Sequence, residues 1–335
     1  MANEVFSPRD FKAWIIEETV TGNASLDAPA ITGSLLQLDV DSVAFPSLSP
    51  NQVTAVRSRG GRVLHDEDFF QDNTMRAIEV SLSGTFRQDS GTAMLMQSVT
   101  GMDLNATLAD VAMVASPTGV SGAYGQTESN KTFTLVLASP DTTGGFNTVL
   151  GGCLCTSFSL NADMTADGGL YKFEATISSG QKPITNNVAT ESGSAFGSTL
   201  RTMSTLNSSN IKVGAITPVV NSFGVTIESP AIYTGFSSNG YHSFARGSEF
   251  TVTANATVKY DEVSKVLYHN LNQQTAITDG NLFTMPQTTA THTSVTIPNG
   301  FLTEVAFNEG DAMMLDVELQ GTSDGSASII TFDMA

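Results

Sequence analysis

The sequence is poor in charge, and poorest in positive charge. Charged residues make up 14% of the 335, against about 25% in a typical soluble domain. Lys and Arg number 15 and Asp and Glu 33, for a net charge of −18. A chain this acidic repels nucleic acid rather than gripping it, so DNA fits only as a passing neighbour. There are two cysteines, Cys153 and Cys155, spaced i, i+2. On a strand they share a face, where a disulfide between them would be strained, so they read as reduced, packed thiols. A two-ligand metal fragment is the alternative, and it lacks further Cys or His nearby to complete four ligands. The one tryptophan, Trp14, reads as core or interface packing rather than as a stacking platform. No apolar run approaches the ~18 residues of a membrane-spanning helix. The first ten residues have no basic-then-apolar leader pattern, so the Asn-x-Ser/Thr triplets beginning at Asn23, Asn105, Asn130, Asn207 and Asn255 carry no weight.

Catalytic patterns are missing as well. His65, His242, His269 and His292 are scattered, without the His-Glu-x-x-His spacing of a zinc site. Gly235-Phe-Ser-Ser-Asn-Gly240 fails as a nucleophile elbow at its last position. No glycine-rich loop leads into a phosphate-binding lysine. Asp39 and Asp41 share a strand face, a common arrangement on any sheet surface. The expectation is a protein that is not an enzyme and has no cofactor.

What the chain does hold is glycine, small hydroxyl residues and period-two alternation. Leu36, Leu38 and Val40 alternate with Gln37, Asp39 and Asp41, which predicts a half-buried strand over Leu35–Val43. Ile78 to Arg87 alternates in the same way, and Asp89 or Ser90 then caps a short helix carrying Met94, Leu95 and Val99. Phe133, Leu135 and Leu137 predict a further strand. Leu154–Asn161 and Leu170–Ser178 predict a hairpin turning at Asp167-Gly168. Residues 184–210, rich in Ser, Thr, Asn and Gly, read as a linker, in which Phe196, Leu200, Met203 and Leu206 have the spacing of a docked helical turn. The second half repeats the order: strands at Phe223–Ile227 and Phe250–Lys259, a helix capped by Asp261 with Val263, Val266, Leu267 and Leu271, a strand at Val295–Ile297, and a hairpin of Val305–Asn308 with Met313–Gln320.

Aligned without gaps, Val80–Met96 lies on Val252–Tyr268, with Val80/Val252, Thr85/Thr257, Asp89/Asp261 and Leu95/Leu267 identical. The closing hairpins align Phe158, Leu160 and Asn161 with Val305, Phe307 and Asn308, which sets Glu174 near Asp316. Each half also carries a stretch without period, read as a long loop. Phe45–Thr74 holds Arg57, Arg59 and Arg62, then Asp66, Glu67 and Asp68, then Phe69 and Phe70; Pro230–Gly247 holds Tyr233, Phe236, Tyr241 and Phe244. The separated charge signs suit copies meeting head to tail.

A strand ending in Gly-Thr-Phe-Arg or Ala-Thr-Val-Lys, a short helix, and a hairpin beside a long loop together resemble the tail tube proteins of tailed bacteriophages. Glu17-Glu18-Thr19-Val20-Thr21-Gly22 is similar to the opening of many of them. The resemblance lies in order and pattern over most of the chain. It implies a mainly β protein of two tandem β-sandwich domains, 1–183 and 211–335, joined by the linker. Each domain has a short flanking α-helix and a long inter-strand loop. It implies rings of three copies with pseudo-six-fold symmetry, stacked into a tube in the virion tail and made in the host cytoplasm. The tape measure protein lies inside such a tube, tail completion proteins bind its end, and genomic DNA passes through without sticking. Glu79, Glu174, Asp316 and Glu318 are then candidates to line the channel. The charged and aromatic residues of the two loops are candidates for contacts between rings. The rival expectations are a carbohydrate-binding or adhesive β-protein, with the Tyr233–Phe244 aromatics as a sugar platform, and another virion structural protein.

Overall fold

A computed structural model describes residues 7–18, 35–46, 51–54, 69–72, 77–101, 112–115, 132–140, 147–186, 193–198, 200–203, 211–237, 240–246, 250–273, 276–277, 282–285, 294–310, 312–322 and 329–333, to which every structural statement here refers. The protein is mainly β, as the alternation predicts. In chain order the first half contributes β1 (Lys12–Glu17), β2 (Leu35–Leu38), β3 (Val40–Val43), β4 (Asn51–Thr54), β5 (Phe69–Asp72), β6 (Ile78–Thr85), helix α1 (Ser90–Thr100), β7 (Ala112–Ala115), β8 (Phe133–Ala138), β9 (Asn147–Asp163) and β10 (Lys172–Ser179). The connecting region holds β11 (Ile184–Asn186), β12 (Gly193–Ser194) and β13 (Lys212–Val213). The second half adds β14 (Val220–Glu228), β15 (Ala231–Ser237), β16 (Gly240–Arg246), β17 (Thr251–Lys259), α2 (Lys265–Gln273), β18 (Phe283–Met285), β19 (Ser294–Ile297), β20 (Gly300–Glu309), β21 (Met313–Gly321) and β22 (Ile330–Asp333).

One 13-stranded sheet runs through both halves. Its hinge is β9, which is 17 residues long. The first part of β9 pairs with β8 and β11, and the second part with β10 and β14. The changeover falls at Gly151-Gly152, where Gly152 adopts φ +59, a conformation that suits glycine alone. Glu18 fills this corner: its carboxylate accepts the Gly152 amide at 2.7 Å and the Thr134 hydroxyl at 2.9 Å, and it also holds Thr132.

The strand predicted over Leu35–Val43 is instead two strands. β2 pairs with β1, and after Asp39 the chain crosses to pair β3 with β6. The predicted common face of Leu36, Leu38 and Val40 is therefore split: Leu35, Leu38 and Val43 are the buried residues of this segment. The crossing is fixed from both sides. The Asp39 carbonyl accepts the Thr85 amide, and its carboxylate takes Arg87 Nε at 2.7 Å. Gly84 makes room, because a Cβ there would stand 2.0 Å from the Asp39 carbonyl oxygen.

The apolar faces of these strands and helix α1 share one core. It reaches from Ile15 and Leu137 through Phe158 and Phe173 to Val225, Val258, Leu315 and Val317 in a single buried cluster. Trp14 lies on the opposite face of β1, buried with Leu35, Val136, Ala138 and Val149. The segment expected to dock as a helical turn is instead an extended strap. Gly193 and Ser194 pair with β2, Phe196 lies 5.3 Å under the Arg87 guanidinium, and Met203 is buried while Leu200 is exposed. The halves also interlock, since β7 of the first half pairs with β22 at the end of the sheet β13-β18-β19-β22-β7.

Both helices start on an aspartate, as predicted. Asp89 accepts the Thr92 amide at 2.9 Å, and its other oxygen accepts the Gly197 amide of the strap at 3.1 Å. Burial raises the Asp89 carboxyl above its ordinary range, against those hydrogen bonds. Asp89→Ala is expected to lower stability by about 2 kcal/mol, the upper end for loss of a helix cap, because the strap loses its anchor too. Asp89→Asn is expected to cost less, since it keeps one acceptor oxygen. Urea denaturation of the two variants checks the order.

Candidate assembly edges

The two halves carry the same four-strand arrangement. In the first half the hydrogen-bonded order is β3-β6-β10-β9, and in the second it is β14-β17-β21-β20. Chain order matches as well: first strand, hairpin, second strand, aspartate-capped helix, then the closing hairpin. The registers superpose. Ser83 lies opposite Glu174, and Asn255, its counterpart in the ungapped alignment, lies opposite Glu318. Glu174 therefore corresponds to Glu318, and Leu160 to Val305, two residues from the hairpin alignment expected from sequence. The bulges also differ in place: β20 carries an extra residue between Leu302 and Glu304, whereas the β9–β10 irregularity falls at Thr176/Ile177.

The two units meet head to tail. The last strand of the first, β9, pairs with the first strand of the second, β14. This leaves two edges: among the described residues β3 pairs only with β6, and from Phe301 onward β20 pairs only with β21. An open, apolar-flanked edge is a template for a further strand. Apolar side chains that the inner junction buries are exposed at the outer edges. Ala162 is buried where its counterpart Phe307 is 40% exposed, and Ile227 is buried where its counterpart Phe45 is 39% exposed. Phe307 packs with two other exposed aromatics, Tyr260 at 5.3 Å and Tyr268 at 5.1 Å between ring centroids. The helices differ in the same sense. Residues 91–100 of α1 are all buried, whereas Val263 and Val266, expected on the apolar face of α2, are exposed and Leu267 is buried.

The four predicted acidic residues share one face. Following the registers strand by strand, Glu79, Glu174, Glu318 and Asp316 all project from the side of the sheet opposite the core. Glu79, Glu174 and Glu318 are exposed and Asp316 is half-buried. The rungs between them are mostly Ser, Thr and Asn, with Lys172 and Lys259 on the same face, so the face is polar across both units. Asp316 accepts the Thr257 hydroxyl at 2.7 Å and the Asn308 amide at 3.0 Å, and Lys172 pairs with Asp41 at 2.7 Å. Glu304 and Glu318 stand directly opposite each other, a like-charge pairing that costs stability on a sheet.

The two stretches read as loops contain hairpins, β4–β5 and β15–β16. Arg57, Arg59, Arg62, Asp66, Glu67 and Asp68 lie outside the described residues, while Phe69 and Phe70 begin β5. Tyr233 and Phe236 stand on β15, and Tyr241 and Phe244 on β16. The second hairpin is pinned to the first unit. Tyr233 donates its hydroxyl to the Ser178 carbonyl at 2.5 Å, and burial raises its pKa. Arg246, which sequence reasoning did not single out, donates to the carbonyls of Ser229 at 2.7 Å and Cys155 at 3.0 Å and to Ser98 near the end of α1. Its only sequence signal is that it is an isolated cation in an acidic chain.

Cys153 and Cys155 are buried and not disulfide-bonded; each thiol donates to a carbonyl, Leu150 and Ser157 respectively, at 3.2 Å. Burial raises both, Cys155 to about 12. A thiol held in its protonated form is a poor nucleophile. Native protein at pH 8 is expected to react with a chromogenic disulfide reagent at less than about a tenth of the rate seen in denaturant. Among the described residues no group of three metal-ligating side chains occurs, and no helix is long and apolar enough to cross a membrane.

No protein-family model matches the chain, and a search of curated proteins finds no match.

Proposed function

We propose that this chain is a structural subunit of a phage tail tube, assembling with copies of itself into stacked rings around a channel. One observation carries the proposal. Two units of identical strand order are joined head to tail inside the chain, and the same two kinds of edge remain open at its ends. A head-to-tail contact that repeats must close into a ring or run on as a filament, and closure removes both of these edges. Three copies supply six units, the count the family resemblance implies.

The polar, acidic face then lines the channel, and the core and helices lie behind it. Glu79, Glu174, Asp316 and Glu318 repel the phosphates of passing DNA and outnumber the lysines of the same strands, Lys172, which is paired with Asp41, and Lys259. The like-charge pair Glu304–Glu318 fits a surface kept acidic at some cost to the fold. The tape measure protein inside the tube, completion proteins at its end and a place in the virion tail belong to the same proposal. A sugar platform is less well supported, because the Tyr233 hydroxyl is committed to Ser178 and its ring stands against Gly180.

Sedimentation velocity over a hundredfold range of concentration tests this. A tube subunit gives species much larger than the 35.2 kDa chain, growing with concentration. An adhesin stays small and binds glycans.

A further inference from the structure

The junction inside the chain prescribes the register of the junction between chains. Within the chain, Val225 lies opposite Leu160, Gly224 opposite Asn161, Thr226 opposite Ser159 and Ile227 opposite Phe158. Each of these residues has a counterpart on an open edge. On β3 the counterparts follow from shared partners on β6 and β17: Ser42 faces Ser83 as Gly224 faces Asn255, and Val43 faces Leu82 as Val225 faces Ala254. On β20 they follow from β10 and β21: Leu160 faces Phe173 as Val305 faces Val317, and Asn161 faces Lys172 as Ala306 faces Asp316.

We infer that β20 of one copy pairs antiparallel with β3 of a second copy in a single register, with Val305 opposite Val43 and Ala306 opposite Ser42. This rests on the ring proposal and fixes its contact to the residue. Three features of the edges fit this register. Val305 and Val43, both on the core face, meet as Leu160 and Val225 do. Phe45, 39% exposed and packed on one side by Phe11 at 4.7 Å between ring centroids, reaches Leu302, the counterpart of Phe158 on the far side of the bulge. Phe307, with Tyr260 edge-on and Tyr268 tilted beside it, comes to the Val40 end of β3. A slip of one residue would turn Phe45 and Phe307 to the polar face. A slip of two would keep the faces, but toward Glu304 it carries Phe307 past Val40, and toward Asn308 it moves Phe45 off Leu302 and onto Val305.

Cysteine pairs on the polar face test it. Residues directly opposite on antiparallel strands have Cβ atoms about 4.5–5.5 Å apart, and those two further along about 7–8 Å. Only the first lies near disulfide reach. Ser42→Cys/Ala306→Cys is oxidised under assembling conditions beside the slipped pairs Ser42→Cys/Asn308→Cys and Ser42→Cys/Glu304→Cys, and beside each single variant. The native thiols are buried. The expected result is a non-reducing ladder of covalent multimers from Ser42→Cys/Ala306→Cys, at least tenfold stronger than from any other variant. If rings form and a slipped pair cross-links best, or none does, the register is overturned while ring closure stands. If the unmodified protein and all variants remain monomeric, both fall.

Discussion

Phe307→Lys is expected to yield a folded protein that no longer assembles. Phe307 is 40% exposed at the open edge of β20, so a lysine there meets water in the single chain and disturbs little of the core. Its thermal midpoint should lie within a few degrees of the parent protein, because exposed substitutions usually change stability by less than about 0.5 kcal/mol. In the proposed assembly the same position is covered by the neighbouring copy. Truncating a buried aromatic anchor costs an interface about 2 kcal/mol or more, and a charge trapped there adds to the loss. At 1.4 kcal/mol per factor of ten, each contact weakens by at least about 30-fold, and a ring multiplies that over its contacts. Phe301→Lys is the control. Phe301 is 42% exposed on the same strand but lies opposite Gln320, on the polar face, and should leave assembly nearly intact. Sedimentation of the two variants, with circular dichroism to confirm folding, separates an effect on the junction from an effect on the fold. Equal assembly by both would remove the β20 edge from the interface.

The second large effect is expected at Arg246, which ties the two units together within one chain. Its guanidinium reaches three carbonyls from three elements: Ser98 on α1, Cys155 on β9 and Ser229 after β14. Hydrogen bonds to a charged group are worth about 1.5–3 kcal/mol each, though not additively, and buried carbonyls left without a donor add a desolvation cost. Arg246→Met, which keeps the length of the stem, is expected to lower stability by about 3 kcal/mol and to shift the urea midpoint by roughly 1 M for a chain of this size. Arg246→Lys is expected to recover less than half of that, because one ammonium cannot span the fork. The inner junction should loosen first, so protease cleavage between the units should rise more in Arg246→Met than in a core variant of equal stability. An unchanged urea midpoint would show that the β9–β14 ladder and its apolar side chains hold the units without the clamp.

Sequence alone makes the repeat visible where period and capping agree. Val80 over Val252 and Asp89 over Asp261 are legible because an alternating strand followed by an aspartate cap leaves a local signature, and both aspartates do cap their helices. The sharing of one face by Glu79, Glu174, Asp316 and Glu318 follows from strand parity once the strands are placed. Sequence misaligns the closing hairpins by two residues because an offset of two leaves every side chain on its own face, so alternation fits both alignments equally well. The crossing at Asp39 reads as continuous strand because both β2 and β3 alternate, and nothing local marks the change of partner from β1 to β6. The β15–β16 hairpin hides in a stretch whose small residues and aromatics keep no period, and the groups that pin it, Ser178, Gly180 and α1, are distant in sequence. The difference between α1 and α2 is equally invisible. Val263 and Val266 have helical spacing, but what would cover them is not local to the helix.

The proposed assembly rests on one geometric rule: a unit that pairs last strand to first once inside the chain would repeat that pairing between chains until it closes. Electron microscopy of concentrated protein tests it most directly. Annular end views with three-fold averages resolving six similar lobes, stacking into tubes, are the predicted result. Particles that remain single chains at every concentration, or pairs closed face to face about a two-fold axis, would contradict it.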